Sequence, residues 1–119
     1  MLRINSNITF AGIQGKVLSI SPHGSYLTVQ LSKRIVIVGA INNKFQWEEN
    51  PEQQSGFVSF ITYIGCSKPE LSAISDQIQF YGGQIDDFRD SKRNKHFPLE
   101  FKVRKLSPES LVQLLNELQ

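Results

Sequence analysis

The residues able to do chemistry gather in two stretches. Between Arg89 and Lys105 stand seven basic residues, Arg89, Lys92, Arg93, Lys95, Lys102, Arg104 and Lys105, against Asp90 and Glu100, and Phe88 and Phe97 flank the most basic part of the run. Earlier in the chain, Phe45 and Trp47 are two residues apart, a spacing that puts both rings on one face of an extended strand. Trp47 is followed by Glu48 and Glu49, surroundings less natural for a core ring than those of Phe57 or Phe60. Cations neutralise phosphates, and flat side chains stack unpaired bases at about 1–3 kcal/mol each. Cations interleaved with rings therefore suit a single-stranded nucleic acid. Arg34 extends the phosphate path, with Lys16, Lys33 and Lys44 as weaker candidates, and Tyr63 and Tyr81 are weaker stacking candidates. Each reading has a plainer rival: Phe88 and Phe97 as packing residues, Trp47 as core, and the basic run as a solvated hairpin tip.

Catalytic chemistry is poorly provided for. Asp86, Asp87 and Asp90 are close in sequence, but acids at a hairpin base are more often solvated or paired with neighbours such as Arg89 and Lys92, and no second cluster completes a metal-ligand set. His23, in Pro-His-Gly-Ser, reads as a turn residue, and His96 as a contact to ligand or solvent. Cys66 has no histidine at a suggestive spacing and reads as a buried structural thiol. Nothing assembles a nucleophile, a base and an oxyanion donor. The expectation is a non-enzymatic protein with no catalytic residues, no metal and no cofactor.

Composition narrows the class. A chain of 119 residues, 39% hydrophobic and 20% charged, suits one soluble globular domain. No apolar run reaches the roughly 18 residues of a membrane span, and the opening segment carries Arg3, Asn5, Ser6 and Asn7 rather than a signal-peptide core. A lone cysteine gives no internal disulfide and fits a reducing compartment. The net charge of +2 is too small to announce a nucleic-acid binder, so its uneven distribution carries the argument.

Alternating residues and turn signals supply the elements that would hold these groups. Residues 7–20 read as one long strand bent at Gly12 and Gly15, 26–31 as a second strand, 34–41 as a β-branched third, and 57–64 as a fourth ending at Gly65. Residues 48–56 read as an exposed loop at the tip of a long hairpin. One or two helical turns follow at 68–75, introduced by Pro69; then 78–88 and 96–106 read as a last hairpin with a basic tip at 90–95. Ser107, Pro108 and Glu109 start a helix whose Leu111, Leu114, Leu115 and Leu118 form one stripe. The expected fold is all-β: a five- to six-stranded barrel of OB-fold type, with a short helix between strands 4 and 5 and a C-terminal helix. The expected organisation is a nucleic-acid-binding domain over residues 1–106 and an amphipathic helix over 107–119.

Several of these segments, in order, resemble the bacterial-type single-stranded DNA-binding proteins, the SSB family. NITFAGIQG at 7–15 resembles that family's opening strand, and RIVIVGAINNKFQW at 34–47 its third strand running into a tryptophan-bearing arm. FVSFITYIG at 57–65 is similar to the strand before its helix, IQFYGGQI at 78–85 to its strand with a central glycine, and FRDSKRNKHFPLEFKVRKL at 88–106 to its basic hairpin and final strand. The family's glycine-rich, acidic-tipped tail is not among these residues, and 106–119 reads as helical. In this the chain is more similar to the primosomal PriB relatives and to the short single-stranded DNA-binding proteins of algal plastids and cyanobacteria. The resemblance implies an OB-fold, sequence-tolerant binding of single-stranded DNA in replication or repair, a homodimer or homotetramer, and a plastid (chloroplast) or bacterial cytoplasm location. The expected partner is single-stranded DNA, with RNA as an alternative, and no membrane. An OB-type protein-interaction module, docking a partner through its last helix, is the alternative from another class.

Overall fold

The computed structural model describes residues 3–10, 12–22, 26–41 and 57–118. Seven strands form one antiparallel sheet: β1 (Asn7–Phe10), β2 (Ile13–Ile20), β3 (Tyr26–Gln30), β4 (Ile35–Ile41), β5 (Phe57–Cys66), β6 (Gln84–Asp90) and β7 (Leu99–Arg104). Helix α1 (Leu71–Phe80), preceded by a 3-10 turn at Lys68–Glu70, separates β5 from β6, and α2 (Pro108–Glu117) follows β7. The order across the sheet is β1-β2-β3-β4-β5-β7-β6.

The mostly-β architecture and the two helices agree with the sequence reading, but a closed barrel of five or six strands does not form. Among the described residues no ladder joins β1 to β6, and these two strands are the edges of an open sheet. The sheet is nevertheless strongly coiled. Phe10 of β1 and Phe60 of β5 are four strand steps apart, about 19 Å in a flat sheet. Their ring centroids are 5.2 Å apart, edge to face.

Two further differences have local causes. Residues 7–20 form two strands, because Gly12, at φ 81°, takes the left-handed conformation that reverses the chain between Phe10 and Ile13. Residues 78–80, expected to open a strand, are the last turn of α1. Leu71, Ile74 and Ile78 keep helical spacing, and burying Ile74 and Ile78 in the core favours continuing the helix over the Ile78/Phe80 alternation. Gly82, at φ 85°, then ends it.

The core lies on one face of the sheet. Ile8, Phe10, Val17, Leu27, Val29, Ile35, Ile37, Ile64, Phe101 and Val103 point into it and are covered by Ile74 and Ile78 of α1 and by Leu111, Leu114 and Leu115 of α2. The final helix begins as expected, with Ser107 Oγ accepting from Ser110 N at 3.1 Å and Pro108 in the first turn. Its leucine stripe, however, is buried in this chain's own core, so it is not the free docking surface considered from sequence. No helix among the described residues is long and apolar enough to cross a membrane.

Candidate functional site

Alternation along the strands leaves a second, outward face, and the β6–β7 connection, residues 91–98, folds back over part of it. Contacts of four residues, Asn94, Phe97, Arg93 and Glu100, pin that connection. Asn94, almost fully buried, donates from Nδ2 to the Arg34 carbonyl at 2.5 Å, and its Oδ1 accepts from His96 N at 3.1 Å. Phe97 packs on the strand at Gly65, where an added Cβ would lie 2.5 Å from the ring. The Arg93 guanidinium rests 4.4 Å from the centre of the Tyr63 ring, a cation–π contact that stabilises by about 0.5–2 kcal/mol. Beneath the tip, the 0% exposed Glu100 uses Oε1 to accept from the backbone N–H of Lys92 and, at 3.0 Å, of Arg93. These two amides satisfy Oε1 and fix the backbone of the basic segment, while Oε2 is buried without a hydrogen-bond partner among the described residues.

The result is a groove of about 670 Å³ between the connection and the sheet. One wall is basic, formed by Lys92, Arg93, Lys95 and His96. The other is the outward face of β2 and β3, with Leu18, Ser19, Thr28 and Gln30, and Ile4 and Asn5 complete the lining. Asn5, at φ 73°, is held by its N–H donating to the Val17 carbonyl at 2.7 Å. The polar wall runs on along β3: residues 26, 28 and 30 share a face, which puts the 54% exposed Tyr26 at its far end, about 13 Å from Gln30. Tyr26 is fixed there by paired bonds with Ser21, its N–H donating to Oγ and its carbonyl accepting from the Ser21 N–H, both at 3.0 Å.

No protein-family model, curated protein or solved structure matches this chain.

The site residues expected from sequence divide into four sets. Lys92, Arg93 and Lys95 are brought together on the groove wall. Arg89 and Lys102 lie one step further across the outward face, on either side of the β6–β7 ladder. Lys102 pairs with Tyr63 and Asp87 in register, while the Arg89 guanidinium is 5.5 Å from the Tyr63 ring and 3.7 Å from Asp87. Three residues are engaged elsewhere. Phe88 turns inward onto Phe101, with centroids 4.7 Å apart, and Phe97 lies between Gly65 and the Arg34 guanidinium, 4.4 Å away. Arg34 itself makes a two-pronged ion pair with Glu70 at 2.8 and 3.2 Å and donates to the carbonyls of Gly65 at 2.8 Å and Leu118 at 3.3 Å. Its charge is spent inside the molecule. Phe45 and Trp47 lie outside the described residues.

Several other titratable groups are engaged within the fold. Burial pushes the Cys66 thiol above its ordinary range. Tyr81 donates its hydroxyl to Glu117, tying α1 to α2, and this bond raises its pKa. Asp86 pairs with Arg104. Among the described residues no three His, Cys, Asp or Glu side chains gather as a metal site. Sequence reading passed over Tyr26, Thr28 and Gln30. Their signal was available in the clean alternation of residues 26–31, which puts a tyrosine on the polar face of a strand.

Proposed function

We propose that this protein binds single-stranded nucleic acid, in the first place DNA, in the groove between the basic connection and the β2–β3 face, without catalysing a reaction. The observation that carries the reading is the convergence of Lys92, Arg93, Lys95 and His96 on one wall, opposite hydroxyl and amide side chains that lead to an exposed tyrosine. A strand laid in the groove would place phosphates on the cations, where affinity arises largely from counterion release, and a base on Tyr26. Sequence tolerance belongs to the proposal because phosphate contacts and stacking do not depend on base identity. We attach to the same proposal the OB-type fold and the likeness to the SSB and PriB proteins, on the strand order and on the coil that brings Phe10 to Phe60. A role in protecting transient single strands during replication or repair, as a homodimer or homotetramer in a bacterial or plastid compartment, belongs with it.

The test is a fluorescence titration with oligothymidylate across a salt series. Binding that weakens steeply with salt is expected, and absent or salt-insensitive binding would sink the reading. Replacing both Lys92 and Lys95 with Gln should lower the slope of log affinity on log salt by about 1.4, since each phosphate contact on a single strand contributes about 0.7. An oligouridylate run in parallel decides between DNA and RNA.

A further inference from the structure

We propose that the Arg93 guanidinium, backed by Tyr63, is itself a base-stacking plane of the groove, so that a base of the bound strand rests on an arginine rather than directly on an aromatic ring. The inference rests on the nucleic-acid reading of the same groove and names the group that would grip a base within it.

Three observations carry it. Tyr63 is only 4% exposed, so it is closed to direct stacking, and of the two guanidiniums over its ring the nearer is that of Arg93, at 4.4 Å against 5.5 Å for Arg89. Arg93 lines the groove, so the residue whose guanidinium lies over Tyr63 also borders the space a strand would occupy. It is also held in place: its N–H is bound by Glu100 at 3.0 Å, and its neighbours Lys92 and Asn94 are fixed by Glu100 and by the Arg34 carbonyl. Among the described residues Arg93 takes part in none of the ion pairs, which join Arg34 to Glu70, Arg89 to Asp87 and Arg104 to Asp86. Its edge N–H groups therefore remain available to phosphate or base oxygens while its face stacks. A guanidinium plane accepts a base as an aromatic ring does, and a pre-positioned plane loses less conformational freedom on binding than a free side chain.

The consequence separates charge from shape. Arg93→Lys keeps the charge and removes the plane; Tyr63→Phe keeps the ring beneath it and Tyr63→Leu removes it. The probes are oligothymidylate and an abasic deoxyribose-phosphate oligomer of the same length. Arg93→Lys should weaken oligothymidylate binding about fivefold to tenfold while leaving the salt slope and the affinity for the abasic oligomer unchanged. Tyr63→Phe should bind as wild type. Tyr63→Leu should lose a similar factor, with Arg93→Lys adding little on top of it. Melting of each variant reports its fold, and if Tyr63→Leu unfolds, the surface substitution Arg93→Lys decides alone. Wild-type affinity of Arg93→Lys for oligothymidylate, or an equal loss on both oligomers, overturns this inference and leaves the nucleic-acid reading standing. Failure of the wild-type chain to bind either oligomer overturns both.

Discussion

Glu70→Gln tests the brace that holds the groove's framework from behind. Glu70 accepts from Arg34 at 2.8 and 3.2 Å and from Ser67 Oγ at 2.7 Å, and Arg34 in turn binds the carbonyls of Gly65 and Leu118. The Arg34 hydrogen bonds, followed by that from Ser67, pull the Glu70 carboxyl from an ordinary 4.5 to about 2. Taken at face value, that depression corresponds to about 3 kcal/mol of folding stability at neutral pH. The Glu70 side chain is 38% exposed, and water screens the pair, so about 1–2 kcal/mol is the expected cost of removing the charge. For a chain of this length the melting temperature should fall by about 4–8 °C at pH 7. A carboxyl with a lowered folded-state pKa stabilises fully above its unfolded value and loses that contribution as pH falls through the folded one. The gap between variant and wild type should therefore close between about pH 4.5 and pH 2, with roughly half of it gone by pH 3. Urea unfolding at pH 7, 4 and 3 measures it. A gap that stays constant with pH, or is missing at pH 7, refutes the brace.

Gly65→Ala should cost about 1–3 kcal/mol in urea unfolding, because the new methyl would meet the Phe97 ring at 2.5 Å and Asn94 Nδ2 at 2.7 Å, both held in place by the Arg34 region. The same variant should bind oligothymidylate more weakly, since Phe97 and Asn94 anchor the basic wall. Leu114→Ala, at a fully buried position of α2, should cost about 2–5 kcal/mol, and a cost near zero would show that the last helix is not part of the core.

The legible parts of the fold were those written in local pattern. The β-branched run at residues 34–41 and the alternation at 26–31 gave strands, and Ser107-Pro108 with its leucine stripe gave a helix, because each pattern has one secondary structure that buries its apolar side. Gly12 and the stretch 78–80 were misread for the same reason: a glycine permits either a bend or a reversal, and two apolar residues two apart fit a strand or the end of a helix. Pairing Phe10 with Ile13 and burying Ile78 against the sheet resolved them.

For the candidate site, the residue types alone marked the basic segment, because a run of cations between aromatic residues is visible without coordinates. They also placed that segment between two strands. The division of labour among its members depended on contacts between residues far apart in the chain. Arg34 could be assigned to the phosphate path from sequence because its partner Glu70 is 36 positions away. The cation–π contact of Arg93 with Tyr63, the turning of Phe88 onto Phe101 and the approach of the connection to Thr28 and Gln30 likewise follow from strand order and sheet coil. Charge is a property of single residues and can be counted along a sequence; which charges remain free to meet a ligand is a property of pairs, and only the tertiary structure makes the pairs.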